Sequence, residues 1–281
     1  MRLINCKEIR EQMLTEAREK IASIPEKLTL AIISAGDDDA SKVYIKNKIK
    51  TAESVGILTK HYHIYPGESA YDVATLISRL NDKPNITGIM LQLPLRDEFK
   101  PFERDLLDAI SWDKDVDGLT STNVAKLWLG EDCITPATPT GILRLLPEDL
   151  SGKAITIVNR SNLIGKPLAK LLLDRNATVQ ICHSKTDKLK AKIACSDYVI
   201  TGIGKPKYFK DYPYYEILSP TAWIDCGINR DENGKLCGDV DIDSFKNRDV
   251  AITPVPGGVG TLTTAQLMLN VIKAYELQRG K

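Results

Sequence analysis

Apolar residues in this 281-residue chain come in short runs separated by amphipathic stretches. LTLAIIS (28–34), ITGIMLQL (86–93), AITIV (154–158), DYVITGIG (197–204), AWIDCG (222–227) and DVAITPV (249–255) predict strands buried on both faces. LTKHYHI (58–64), which alternates, and ATVQICH (177–183) add two more. Helical spacing appears over 7–23, over 41–56 with a stop at Gly56, over 71–81, from about Gly165 through PLAKLLLDRN, and over 262–280. Strand and helix alternate, so the predicted class is α/β, with parallel sheets covered by helices on both faces. TPATPTG (135–141) interrupts the pattern with two prolines, and a new βα series begins after it. Two domains are expected from this break and from the chain length, with the last helix packing back on the first.

Charge narrows the possible partners. Lys and Arg total 38 against 37 Asp and Glu, a net charge of +1. Such a chain has no basic excess to hold a polyanion, so nucleic acid is not expected as a partner. The opening MRLINCKEIREQML lacks the apolar run of a signal peptide, and no stretch reaches the roughly 18 apolar residues of a spanning helix. The expectation is a cytoplasmic protein with no membrane partner. Cys6, Cys133, Cys182, Cys195, Cys226 and Cys237 are scattered, which argues against a disulfide framework. His61 and His63 share one strand face but have no third ligand, so no metal site is expected.

The most regular βαβ unit is GKAITIVNRSNLIGKPLAKLLLDRNATVQICHSKT. A helix starting near Gly165 would offer free N–H groups and a positive dipole end to a pyrophosphate. The usual G-x-G-x-x-G is reduced to Gly165, and Asn159 is expected to take the left-handed turn position that glycine normally fills. The second strand ends in Cys182-His183-Ser184-Lys185 with no acid, and Arg160 lies in the first turn. Those residue types suit a ribose 2′-phosphate, hence NADP over NAD. TPVPGGVG (253–260) is a rigid loop with exposed backbone N–H groups. On these features alone, a crossover and a turn without ligand remain open.

In the first half, Tyr44 and Lys48 lie four apart on one helix face. The YxxxK pair of short-chain dehydrogenases lies downstream of the nucleotide turn, so that comparison fails. Gln92 ends an apolar strand, where open α/β sheets bind ligands. DKDVDG (113–118) nearly spells a calcium loop, but Val124 stands where the bidentate Glu belongs, which excludes calcium. Asp113, Asp115 and Asp117 are left either as solvated acids or as a grip for a guanidine-like heterocycle.

SKVYIKNK, GIMLQLPL, KDVDGLTSTN, TPATPTG, NRSNLIGKPLAKLLL, ATVQICHSKT, WIDCGIN, GDVD and ITPVPGGVG occur in the order and spacing of one family. Over nearly its whole length the chain resembles the bifunctional methylenetetrahydrofolate dehydrogenase/methenyltetrahydrofolate cyclohydrolases, the FolD family. The resemblance implies a folate and catalytic domain over 1–137, joined by the helix 262–281, and a Rossmann-like NADP-binding domain over 138–261. It implies oxidation of methylenetetrahydrofolate with NADP, then hydrolysis to formyltetrahydrofolate, in a cytoplasmic homodimer. Lys48 takes the place of the catalytic lysine, Gln92 that of its hydrogen-bond partner, Tyr44 that of a tyrosine lining the folate site, and Asp117 that of the pterin-binding aspartate. Asn159, Arg160, Ser161, Ile164, Gly165, Pro167, His183, Ser184, Gly202, Gly204 and Ile228 fall on the cofactor side, and Pro256, Gly257 and Gly258, counted among the substrate-binding residues, form the loop that closes over the nicotinamide side. The chain departs from the family pattern at Asn159 (commonly Gly), at Thr261-Leu262 (Pro-Met) and at Ala137 (Cys). A desolvated lysine can serve as the base for hydrolysis, whereas hydride transfer depends on position. A protein with one of the two activities, a non-catalytic folate binder and a ligand-free oligomer subunit are the alternatives, and Lys48 favours an enzyme.

Overall fold

The computed structural model describes residues 1–35, 39–210 and 220–280, with side chains for all of these but 39–41. In chain order the elements are β1 (Arg2–Leu3), α1 (Cys6–Ala22), β2 (Thr29–Ser34), α2 (Asp39–Ser54), β3 (Leu58–His63), α3 (Ala70–Asn81), β4 (Gly88–Gln92), a 3-10 turn (Asp97–Phe102), α4 (Glu103–Asp108), α5 (Ser121–Leu129) and α6 (Ala137–Leu143). β5 (Ala154–Val158), α7 (Gly165–Leu173), β6 (Thr178–Cys182), α8 (Leu189–Ala194), β7 (Tyr198–Thr201), β8 (Ala222–Asp225), the short pair β9 (Asn229–Arg230) and β10 (Leu236–Cys237), a 3-10 turn (Ile242–Phe245), β11 (Ala251–Ile252) and α9 (Val259–Arg279) follow. The side chain of Ser41, the first residue of SKVYIKNK, and Lys281 lie outside the described residues.

One compact body comprises Gln12–Ala137 with Thr264–Lys281. Its sheet runs β3-β2-β4 with all strands parallel. β2 is buried at every position, as its unbroken apolar run requires of a central strand. Ala31, Ile33, Ile89 and Leu91 pack with Val73, Ile77 and Leu80, the buried stripe of α3. A capping box between Ser69 and Asp72 starts that helix by satisfying two of its free N–H groups. Side chains alternate across a strand, so Ser34, His61, His63, Met90 and Gln92 share the other face. Ser34 lies in register with both His63 and Gln92, and its hydroxyl contacts His61 Nε2 at 2.8 Å and His63 Nδ1 at 3.2 Å. The C-terminal helix is fastened in this body. Asn270 donates to the carbonyls of Val116 (2.8 Å) and Thr135 (2.9 Å), Gln278 donates to those of Thr87 and Asp113, and Tyr275 and Arg279 both engage Glu26.

The other body comprises Met1–Glu11 with Thr138–Thr263. Its six-stranded sheet runs β1-β11-β8-β7-β5-β6, and every pairing is parallel. From β5 the chain first adds β6 on one side, then crosses to β7 on the other. The crevice beyond the carboxyl ends of β5 and β7 is therefore the topological switch point, where doubly wound sheets bind ligands. Ile155, Ile157, Leu168, Leu172, Ile200 and Ile224 belong to the core on one side, and Val158, Val199, Phe209, Trp223 and Phe245 to that on the other.

Three features differ from the sequence expectations. Residues 1–11 group with the second body rather than with 12–137, because Arg2 and Leu3 pair with Ala251 and Ile252. The strand expected over 249–255 shrinks to two residues, since Pro254 and Pro256 have no N–H to give a ladder. The break expected at 135–141 contains the start of α6, where Pro139 is the third helical residue. A first-turn N–H has no intrahelical partner, so proline is tolerated there.

Candidate active site

The helix α2 sets the first group of residues. Lys48 is half-buried over the polar face of β4. Its ammonium donates to Gln92 Oε1 at 2.9 Å and touches Met90 Sδ at 3.2 Å. Gln92 Nε2 donates in turn to the Leu93 carbonyl, which fixes the amide with its oxygen toward the lysine. Tyr44, one turn earlier on α2, is 40% exposed, so its ring is available to a ligand. Burial pulls the Lys48 pKa down, and the negative charge of Asp117 opposes the shift. Burial pushes Asp117 up to about 6, against the pull of Lys48 and with a further push from Asp115.

The KDVDG loop separates its three acids. Asp113 accepts from the Ser111 hydroxyl at 2.5 Å. Asp115 is buried and accepts from Thr120 N (2.8 Å) and Asn123 Nδ2 (2.9 Å), so it organises the start of α5. Lys114 is buried as well, and its amine caps α3 through the carbonyls of Asn81 (2.7 Å) and Lys83 (2.9 Å). Among the described residues Asp117 alone of these acids has no hydrogen-bond donor assigned to it. It is the one left to accept from a ligand. Gly118 has φ 66°, and a Cβ there would stand 2.7 Å from the Ile134 carbonyl, so glycine lets the loop turn against 134–136.

In the second body the residues expected on the cofactor side follow the carboxyl ends of β5, β6, β7 and β8. Asn159 does not adopt the left-handed conformation expected of it. Its side chain does the work instead. Oδ1 accepts from Ser161 N (2.8 Å), Ser161 Oγ (2.8 Å) and Gly165 N (3.1 Å), while Nδ2 donates to Gly202 O at 2.5 Å. The amide thus bridges the ends of β5 and β7. Ile164 N donates to Ser161 Oγ, and Pro167 is buried in the first turn of α7. A Cβ on Gly165 would collide with the Asn159 carbonyl, so only glycine admits this approach of helix to strand end.

Val158 and Cys182 are partners in register, so Arg160 and Ser184 each lie two residues beyond adjoining strand ends, and both are exposed. His183 accepts from Lys185 N through Nδ1 at 3.1 Å, which shapes the turn that presents Ser184 and Lys185. Gly204 has φ 68°. Ile228 is 49% exposed, and a Cβ on Gly260 would lie 3.6 Å from its Cδ1, so the Pro256-Gly257-Gly258 loop runs into α9 beside it. Sequence reasoning missed Asp225, Asp239 and Asn229, which hold the loops after β7 and β8. WIDCGIN and GDVD contain them, but only an acid within an apolar strand pattern hinted at a buried role.

The comparisons with known proteins place both halves of the chain in one family. The family model for the catalytic domain of tetrahydrofolate dehydrogenase/cyclohydrolase matches residues 4–117, and that for the NAD(P)-binding domain matches 136–279. A bifunctional FolD protein of Bacillus velezensis is 42% identical over 273 residues, 95% of this chain and 94% of its own. The bifunctional FolD methylenetetrahydrofolate dehydrogenase/cyclohydrolase of Campylobacter jejuni superposes with a TM-score of 0.90 at 35% identity, covering 98% of this chain and 99% of that one. The Trypanosoma brucei FolD enzyme, solved with NADP cofactor and inhibitor, gives 0.88 at 27% identity over 99% and 98%. With both halves matched and relatives this similar along the whole length, the chain belongs to the tetrahydrofolate dehydrogenase/cyclohydrolase family.

Proposed function

We propose that this protein oxidises methylenetetrahydrofolate to methenyltetrahydrofolate with NADP and hydrolyses the product to formyltetrahydrofolate. The observation that carries the reading is a lysine with a lowered pKa, held by Gln92 and sharing its surroundings with Asp117. In the hydrolytic half, neutral Lys48 accepts a proton from water as the oxygen bonds to the electrophilic methenyl carbon and the C=N pair moves onto nitrogen. One carbon–nitrogen bond of that adduct then breaks, the leaving nitrogen takes the proton back from Lys48, and the formyl group remains. Gln92 Oε1 aims the amine, and burial keeps a larger neutral fraction than a solvated lysine would have. Asp117 accepts from the neighbouring N–H donors of the pterin, and Tyr44 lies along its ring. In the oxidative half these same groups hold the folate in one pose, which is the main requirement of a direct transfer between two bound partners.

The donor set in the second body fits a nicotinamide dinucleotide with a 2′-phosphate. Arg160, Ser184 and Lys185 stand beyond adjoining strand ends, and no acid follows Cys182 through Thr186. Ser161 and the start of α7 face the pyrophosphate position, and Gly202, Gly204 and Ile228 line the crevice. NADP, when bound, supplies the hydride acceptor. Arg160→Ala is expected to raise the KM for NADP by roughly 10- to 100-fold, the loss of a charge-assisted contact, with little change for NAD. Equal shifts for both cofactors in steady-state assays would take the 2′-phosphate away from Arg160.

The direct test of the whole reading is an absorbance assay of purified protein with methylenetetrahydrofolate, comparing NADP with NAD and following methenyltetrahydrofolate decay. No NADPH formation and no decay would remove it. The family resemblance further supports a homodimer in the cytoplasm. Light scattering that returns the mass of a single chain would remove the dimer.

A further inference from the structure

Two acids in the second body, Asp225 and Asp239, have no part in the steps above. They are 2% and 0% exposed, so neither can touch a ligand. Asp225 ends β8. Its Oδ1 accepts from Gly227 N (2.8 Å) and Asp239 N (3.1 Å), and its Oδ2 from Val240 N (2.8 Å). Asp239, seated on it, reaches the other way. Its Oδ2 accepts from Ile203 N (2.6 Å) and Thr201 Oγ1 (3.1 Å), and its Oδ1 from Asn229 Nδ2 (2.9 Å) and Lys205 N (3.1 Å).

A buried carboxylate without donors would be costly, so these four donors and the anion hold one another in place. The donors lie at the end of β7, in the loop that leaves it, and at Asn229, where the loop that leaves β8 enters β9. Gly202, between Thr201 and Ile203, is the residue whose carbonyl Asn159 grips from the end of β5. Ile228 lies between Gly227, tied to Asp225, and Asn229, tied to Asp239. Glycine is also needed for the acids to come this close. A Cβ on Gly227 would collide with the Asp239 carboxylate, and one on Gly238 with that of Asp225.

We propose that Asp239, anchored by Asp225, is a positioning residue that presets the cofactor crevice by fixing the loops after β7 and β8 against the Asn159 bridge. The proposal rests on the reading of this body as the NADP site. A loop already fixed loses less freedom when a cofactor binds, so its release appears in affinity before it appears in turnover.

The test uses the full-length protein with Asp239→Asn, which keeps the volume but turns an NH2 against a donor. NADP affinity is measured by equilibrium titration, alongside dehydrogenase kinetics and methenyltetrahydrofolate hydrolysis. The hydrolysis uses no nicotinamide cofactor and therefore reports on the rest of the fold. We expect the Kd and KM for NADP to rise at least about tenfold. The kcat at saturating NADP should fall less than about threefold, and hydrolysis should stay within about twofold of the parent. Unchanged NADP affinity would overturn the proposal. So would parallel loss of both activities with a normal Kd in the folded fraction, the mark of a purely structural role. Should Asp239→Asn not fold, Asn229→Ala removes one tie from the half-buried end, and a KM for NADP indistinguishable from the parent would overturn the proposal equally. A parent protein that does not bind NADP in the same titration removes the cofactor-site reading itself, and the proposal with it.

Discussion

Lys48→Met is expected to lower methenyltetrahydrofolate hydrolysis by about 100- to 10,000-fold, the usual loss when a general base is removed. Methionine keeps an unbranched apolar stem in the space between α2 and β4, so the packing around Met90 is largely retained. The amine that Gln92 orients is gone. Dehydrogenase turnover should fall less, because Tyr44 and Asp117 still hold the folate and hydride transfer needs no base. The parent enzyme adds a pH signature. Burial lowers the Lys48 pKa below its ordinary value of about 10.4, so the neutral amine gains population as pH rises through that lowered value. Hydrolysis should climb along that limb in the parent, and the limb should vanish in the methionine variant. The measurement is methenyltetrahydrofolate decay beside NADPH formation across pH. Near-normal decay in the variant would sink Lys48 as the base, and an equal collapse of both rates would make it a folate-positioning group.

The meeting of Lys48 with Gln92 was legible because it uses the two shortest structural rules available. Tyr44 and Lys48 share a face by helical spacing, and Gln92 ends a strand whose apolar run marks it as central. The position of β1 was not legible, since Arg2 finds its partner at Ala251, at the far end of the chain. The sequence predicts a backbone role for Asn159, as a glycine substitute. The structure uses its amide, which can both accept from Gly165 N and donate to Gly202 O. Asp225 and Asp239 stayed hidden for a related reason. Their partners are mostly backbone N–H groups, which every residue type but proline offers, so no pattern of side chains announces them. The short helices α4 and α8 have six residues each, too few for a periodic stripe to stand out.

Asp117→Asn is expected to weaken folate binding by roughly 10- to 100-fold, the value of hydrogen bonds to a charged acceptor, and to depress both reactions while NADP affinity is unchanged. The asparagine keeps one acceptor oxygen but opposes a pterin N–H with its own NH2. Asp113 and Asp115 cannot substitute, because Ser111, Thr120 and Asn123 already occupy them. The same replacement should stabilise the ligand-free protein at pH 7.5. Asp117 has a folded pKa of about 6, above its ordinary value, so the folded state holds the proton more tightly than the unfolded chain does. Stability contributed by the protonated form is present at low pH and is lost as pH rises through about 4 to 6, the reverse of the usual carboxylate. Screening at the partly exposed carboxylate leaves a cost on the order of 1–2 kcal/mol at neutral pH. A carboxamide avoids it, so the variant should melt a few degrees higher at pH 7.5, and the gap should close near pH 4. Denaturation scans at the two pH values and a folate titration check both halves. A variant that melts lower at pH 7.5 would mean that the attraction between Asp117 and Lys48 outweighs the burial of the acid, and unchanged folate affinity would remove Asp117 from the pterin.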